Sequence, residues 1–228
     1  MVEKTGTLLD IGSDHAYVPI RLLQENTIDR AAVSDVNIGP VRTARKNVER
    51  YSLSDRVDFF VSDGLRNNYI EVIDLALICG MGGELIADII SNDMLKARMP
   101  EYLVLQPMNS RSSLRRFLYD NDFTIVKEDI VKEKGHFYTV MKVIAEKDRR
   151  QFDDIFFDIG YCPYEQGHEF FTDYLNHIID KNLTIIRNCE GRTSEKAVRA
   201  SENAKRYIQL ITGVKESYES KRFNQVHQ

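Results

Sequence analysis

The chain has 228 residues, 43% hydrophobic and 29% charged, with a formal net charge of −4, a profile that suits a water-soluble protein of one large domain, or one with a small extension. No apolar run approaches the ~20 residues that cross a bilayer, and residues 1–7 lack the apolar stretch of a secretory leader. Three scattered cysteines, Cys79, Cys162 and Cys189, are too few for a disulfide framework or a zinc site.

Residues 7–11 read as a buried strand that stops at Gly12. A helix is predicted over 18–24 and a second strand over 31–35. Gly39 and Pro40 open a helix that runs to Arg50, with Pro40 near its first turn, where a missing N–H costs nothing. A third strand is predicted over 57–61. A fourth, over 73–78, runs into Gly80-Met81-Gly82-Gly83. The fifth, over 102–105, ends at Pro107 and leads to a helix over 110–121. Two last strands, 123–131 and 137–144, flank Lys134-Gly135-His136, which reads as a hairpin turn. Strands alternating with helices require right-handed crossovers and a parallel sheet. The terminal hairpin adds an antiparallel strand.

Beyond residue 144 the pattern changes. Residues 153–167 read as irregular and acidic. Phe171, Leu175, Ile178, Ile179 and Ile186 then share one helical face. After a break at 189–192, Thr193 or Ser194 offers an N-cap. Ala197, Ala200, Ala204, Tyr207, Ile211 and Val214 follow at alternating spacings of 3 and 4, a heptad-like seam. Residues 145–228 are therefore expected to form a small helical hairpin domain after a first domain of residues 1–144. Positive charge gathers there: residues 181–228 carry ten basic and five acidic side chains. Lys196, Arg199, Asn203 and Arg206 form a stripe beside the seam. It suits RNA phosphates and, equally, a plain solvated helix face.

The first strand–helix junction reads Asp10-Ile11-Gly12-Ser13-Asp14-His15-Ala16-Tyr17. In open parallel sheets ligands bind beyond the carboxyl ends of the strands, and Gly12 lets the backbone come close to one. A dinucleotide fingerprint would repeat glycine where Asp14 and Tyr17 stand. The segment thus lacks a pyrophosphate cradle and suits a cofactor without phosphates, of which S-adenosylmethionine is one; an ordinary turn has the same composition. Asp35, with Val36 after it, ends the second strand, where a carboxylate accepts hydrogen bonds from ribose hydroxyls. Asp63 and Gly64 follow the third strand and fit either an adenine amino group or a polar turn. The three glycines Gly80, Gly82 and Gly83 around Met81 imply close backbone approach or positive φ. Leu105-Gln106-Pro107-Met108-Asn109 forms a further loop at this end. Met81 and Met108 suit packing as well as a site. Arg42, Arg45, Lys46 and Arg50 after the second strand, and Arg111, Arg115 and Arg116 after the fifth, suit phosphates at the mouth of a site or solvated helix faces.

Five segments stand in order along the chain: DIGSDHAYVP at 10–19, NIGP at 37–40, SDGL at 62–65, GMGG at 80–83 and LQP at 105–107. Together they resemble the bacterial tRNA (adenine-22, N1)-methyltransferase family, from about residue 7 to residue 144, and the C-terminal hairpin resembles that family's helical extension. The resemblance implies an α/β, Rossmann-like class I S-adenosylmethionine-dependent methyltransferase fold with a seven-stranded, mostly parallel sheet, plus a small coiled-coil-like helical domain. It also implies methyl transfer from S-adenosylmethionine to N1 of an adenine, A22, in tRNA; the scattered cysteines and the lack of a leader or membrane span in the sequence point to the cytoplasm. Asp10, Gly12, Ser13 and His15 would then bind the cofactor together with Asp35, Val36, Asp63, Gly64, Gly80, Met81 and Gly82, and Asp14 would be catalytic. Tyr17, Arg42, Arg45, Arg111, Arg115, Lys196, Arg199 and Arg206 are the residues expected on the RNA. Tyr17 or His15 would stack on a base whose Watson–Crick edge must be unpaired. One feature departs from the family, which carries a helix ahead of the first strand; here the strand begins almost at Met1.

Two other readings share these residues: a methyltransferase acting on a small molecule or another RNA, and an inactive module that binds S-adenosylmethionine or RNA. A nicotinamide-dependent dehydrogenase fits less well, because the glycine spacing is wrong. No metal and no membrane are expected as partners. The Ala-rich seam suits a monomer or a homodimer.

Overall fold

The computed structural model describes residues 1–66 and 72–226. Contacts divide the chain into two units, residues 1–129 with 138–150, and residues 130–137 with 151–228. The tip of the last hairpin thus groups with the C-terminal residues.

One sheet of seven strands runs through the chain in the order β3-β2-β1-β4-β5-β7-β6. Its strands are β1 (Thr5–Ile11), β2 (Ile28–Asp35), β3 (Val57–Val61), β4 (Leu75–Met81), β5 (Tyr102–Pro107), β6 (Thr124–Glu133) and β7 (His136–Ile144). The first five pair in parallel and β7 is antiparallel to β5, as expected of the mostly parallel, Rossmann-like plan. The β6–β7 turn is built on Lys134 and Gly135, both at positive φ (47° and 80°), the pairing that twists a hairpin correctly. β4 begins at Leu75 rather than Ile73, and Asp74 before it spends its carboxylate on the Thr7 amide at 2.6 Å.

Burial on both sides explains why the central strands are apolar runs without alternation. Leu8 faces one side, packed with Ile20 and Leu23 of α1 (Tyr17–Gln24) and Ala44 and Val48 of α2 (Ile38–Arg50). Leu9 faces the other, with Ile86 and Ile90 of α3 (Gly83–Asn92), Ala97 of α4 (Met94–Ala97), and Leu114 and Leu118 of α5 (Arg111–Asp120). The crossovers therefore change face between β1 and β4. Such a switch point splays the flanking loops apart and opens a crevice at the carboxyl ends of the strands. α3 and α4 were not expected from the sequence. The Gly82-Gly83 pair reads as a loop, and the run of isoleucines after it does not separate helix from strand.

The second unit has its own core. Residues 153–167, expected to be irregular, hold two short helices, α6 (Ile155–Ile159) and α7 (Tyr161–Glu165). Aromatic packing shapes them. Phe152 stacks on Tyr161 with ring centres 4.9 Å apart, and Phe156 lies 5.0 Å from Tyr164. α8 (Phe171–Cys189) and α9 (Glu195–Val226) form the hairpin. Ser194 caps α9, its hydroxyl accepting from the Ala197 amide at 3.4 Å. Lys215 of α9 donates to Asn176 of α8 at 2.8 Å; with the chain reversing at 190–194, the two helices are antiparallel. The heptad seam faces inward: Ala197, Ala204 and Ile211 are buried, and Tyr218 extends the row, its hydroxyl donating to the His168 carbonyl at 2.5 Å. Among the described residues no helix is long and apolar enough to cross a membrane.

Candidate functional site

Four strands, β3, β2, β1 and β4, deliver their carboxyl-terminal segments to one edge of the first unit. The β1 segment is the most constrained. Gly12 takes φ of 73°, and its amide donates to the Ser34 carbonyl at 2.7 Å. A Cβ on Gly12 would lie 1.8 Å from the Met81 methyl of β4, so these two loops interlock. Ser13 is buried; its hydroxyl accepts from the Ala16 amide at 3.1 Å and also bonds the Asp10 carboxylate. Ala16 then takes a left-handed φ of 56° and starts α1.

Asp10 is buried, and the loss of water pushes its carboxyl up to about 6, although Ser13 pulls the other way. Cys79 of β4 lies near it. Burial first, and the Asp10 carboxylate second, push that thiol up to about 12, so it is no thiolate nucleophile at neutral pH. Asp14, in contrast, projects outward, its side chain 66% exposed and its carboxylate 3.2 Å from Nε2 of His15. The His15 ring stacks on the Tyr17 ring, centres 5.1 Å apart and planes 21° from parallel. Tyr17 is itself mostly exposed. A carboxylate beside an open aromatic surface is the arrangement these three residues present.

The neighbouring loops add polar groups. Asp35 of β2 is half-buried, one carboxylate oxygen accepting the Asn37 amide at 2.7 Å, and Val36 is exposed. After β3, Ser62 is buried and donates to the Gly64 and Arg66 carbonyls, while Asp63 stays exposed, 3.8 Å from Arg66. Gly64 has a φ of 59°. Near the end of β4, Gly80 takes φ of 76° with open space where a side chain would point. Gly82 and Gly83 are pressed against the β5 loop: a Cβ on Gly83 would lie 2.5 Å from the Ser110 carbonyl oxygen. The three-glycine segment thus serves two ends, one open and one packed.

Of the basic residues expected at the mouth, Arg42 and Arg45 are exposed on α2, with Arg45 lying over the Phe59 ring at 4.4 Å. Arg111 is half-buried in the first turn of α5. Arg115 is elsewhere in character. Its side chain is 3% exposed and its guanidinium bonds both carboxylate oxygens of the buried Glu128 of β6, at 2.5 and 3.2 Å. Burial and the paired carboxylate remove Arg115 from the RNA-facing set. In the second unit Lys196, Arg199 and Arg206 are exposed on α9. Lys196 and Arg199, with Glu195, Ala200 and Asn203, line a cavity of about 420 Å³.

One bonding pattern and one residue were not legible in the sequence: the links made by Gln106, a residue of the expected site-end loop, and Asn47. Gln106 of β5 accepts the Gly80 amide at 3.0 Å and donates to Met108 Sδ at 3.6 Å, tying the fourth and fifth loops together. Asn47 of α2 donates to the His15 carbonyl at 3.0 Å. Its signal was a polar residue among Val41, Ala44 and Val48 on the buried face of an amphipathic helix.

The donor set favours a nucleoside carrying positive charge. Carboxylates of Asp10, Asp14, Asp35 and Asp63 stand at the ends of β1, β2 and β3; they attract a sulfonium or an ammonium and repel a pyrophosphate. The open space beyond Gly80 leaves backbone within reach of a ligand. S-adenosylmethionine fits this set. Among the described residues no group of three or more His, Cys, Asp or Glu is placed to hold a metal ion.

The methyltransferase-domain family matches residues 1–141 of the chain. The tRNA (adenine(22)-N(1))-methyltransferase of Bacillus subtilis is 31% identical over 153 residues, which span 67% of this chain and 64% of that protein. The match therefore covers slightly less than two thirds of that relative. A solved structure from Streptococcus pneumoniae, described as a candidate tRNA (m1A22) methyltransferase, is 31% identical, with 94% of each chain covered and a TM-score of 0.83. The same protein solved in complex with S-adenosyl-L-methionine aligns with a TM-score of 0.80 at the same identity and coverage.

Proposed function

The chain belongs to the bacterial tRNA (adenine-22, N1)-methyltransferase family, and we propose that it transfers a methyl group from S-adenosylmethionine to N1 of an adenine in tRNA, at position 22. The observation that carries this reading is the exposed Asp14 carboxylate beside the stacked His15–Tyr17 pair, on the loop interlocked with the glycine segment of β4.

Gly12, Ser13, His15, Gly80, Met81 and Gly82 would hold the cofactor, with Asp10 facing its cationic end. Asp35 and Val36 would meet the ribose, and Asp63 and Gly64 the adenine. When bound, the cofactor supplies an electrophilic methyl group on a sulfonium. What the chain must add is alignment and charge. An adenine held in line by its surroundings reacts as if at very high local concentration. The ring becomes cationic as N1 is alkylated. Asp14 stabilises that charge and accepts a proton from the exocyclic amino group. N1 lies on the Watson–Crick edge, so the base must be unpaired, and Tyr17 or His15 offers it a stacking surface.

Arg42, Arg45 and Arg111 suit phosphates near the site, and Lys196, Arg199 and Arg206 suit them on the helical hairpin. Residues 1–144 act as the catalytic domain and 145–228 as the helical domain, in the cytoplasm, as a monomer or homodimer. The test is methyl transfer to unmodified tRNA by the wild type and by Asp14→Ala, with the modified nucleoside identified.

A further inference from the structure

We propose that Asn47 is a positioning residue for Asp14, fixing from α2 the loop that carries Asp14, His15 and Tyr17; the inference rests on the role given to Asp14 above. α2 has two faces. Arg42, Arg45, Lys46 and Arg50 point to solvent, while Val41, Ala44 and Val48 are buried. Asn47 sits on the buried side, 8% exposed. An apolar residue there would pack without further demands. An amide in that place needs a partner, because a buried polar group left unpaired is destabilising.

Its partner lies 32 residues away in sequence: Nδ2 donates to the carbonyl oxygen of His15 at 3.0 Å. That carbonyl is outside the helix, since the ladder of α1 begins one residue later with the Ile20 amide donating to the Ala16 carbonyl at 3.0 Å. The N–H of the same peptide, that of Ala16, donates to Ser13 Oγ at 3.1 Å. The His15–Ala16 peptide is thus gripped at both its polar atoms, just where the backbone enters the left-handed region at Ala16, φ 56°.

The three side chains of the site belong to His15 and to the residues that flank this fixed peptide, Asp14 and Tyr17. The His15 ring lies between the Asp14 carboxylate, at 3.2 Å, and the Tyr17 ring, at 5.1 Å between centres. Asp14 and His15 are exposed, with side-chain accessibilities of 66% and 45%. Ion pairs in water hold geometry weakly. The direction of Asp14 must therefore come from the backbone beneath it, which is held from β2 on one side of Asp14, where the Gly12 and Ser13 amides donate to the Ser34 carbonyl at 2.7 and 3.2 Å, and from α2 on the other side, by Asn47.

The experiment compares Asn47→Ala and the isosteric Asn47→Asp, which keeps the volume and loses the donor, with the wild type. Misplacement of a reacting group by an ångström costs on the order of a hundredfold in rate. The expected result is a fall in kcat of tenfold or more at saturating tRNA and cofactor. In the Asp14→Ala background, adding Asn47→Ala is expected to lower kcat no further. A second readout needs no turnover: the nuclear Overhauser contact between the His15 and Tyr17 rings, present in the wild type and lost in both variants. Unchanged kcat, equal losses in the two backgrounds, or a retained ring contact would each overturn the proposal. If the wild type methylates no tRNA, the functional reading fails, and the ring contact alone still decides whether Asn47 positions the loop.

Discussion

The methyl of Met81 fills the volume that a Cβ on Gly12 would occupy, the two points lying 1.8 Å apart. The end of β1 and the end of β4 are therefore not two separate glycine loops but one interlocked floor, with Gly12 at φ of 73° on one side and Gly80 at 76° on the other. Met81, which suited packing or the site equally well in the sequence, does its packing at the site.

Gly12→Ala follows directly. A side chain at positive φ costs about 1 kcal/mol, and the flexible Met81 must swing out of its place. The variant should melt cooperatively while cofactor affinity, measured by calorimetry, falls tenfold or more. Adding Met81→Ala should recover part of that loss. An unchanged Kd in Gly12→Ala would show that the interlock does not shape the cofactor site.

Asp10 makes stability depend on pH. Its folded value of about 6 lies above the ordinary 3.8, so the folded state prefers the neutral acid. Its contribution to stability is fully present below about pH 4 and is lost as the pH rises through 6. About two units correspond to roughly 3 kcal/mol. Asp10→Asn should therefore melt at a higher temperature than the wild type at pH 7, and the gap should close toward pH 4. Cofactor binding runs the opposite way, because the ionised carboxylate attracts a cation: wild-type affinity should weaken below pH 6. A melting gap independent of pH would contradict the assignment.

The buried Arg115–Glu128 pair is structural. Removing either partner alone leaves a buried charge and costs about 3–5 kcal/mol. Arg115→Ala should therefore lower the melting temperature sharply, whereas Arg115→Met with Glu128→Leu should restore much of it. Affinity of that double variant for tRNA should match the wild type. A selective loss of RNA binding without loss of stability would return Arg115 to the interface.

On the helical hairpin, replacing Lys196 and Arg199 together by Glu should weaken tRNA binding and reduce the slope of its salt dependence by about 2. Cofactor affinity should not change, since both residues stand on α9 of the second unit and the residues proposed to hold the cofactor belong to the first. Filter binding at several salt concentrations reads both quantities, and unaltered RNA affinity would remove the stripe from the interface.

Much of this was legible in the residues. The apolar runs at β1, β2, β4 and β5, and the heptad seam of α9, announce themselves because burial on two faces, or along one stripe, leaves a pattern. The motif order carried the family and with it the strand order, which spacing does not contain. What escaped depended on contacts distant in sequence. Arg115 looks like any surface arginine until Glu128, 13 residues on, meets it in the core. Asn47 looks like a defect on an apolar face until the His15 carbonyl appears above it. α6 and α7 are held by aromatic rings rather than by a helical period, so an acidic stretch hid them.

The most direct test incubates the protein with methyl-labelled S-adenosylmethionine and unmodified tRNA, then digests the RNA and separates the nucleosides. The account predicts label in 1-methyladenosine with the wild type, loss of the label with an adenine-22 substitution in the tRNA, and a rate at least a hundredfold lower with Asp14→Ala, a loss far larger than any loss of cofactor affinity. Label in a different nucleoside, or full activity of Asp14→Ala, would contradict it.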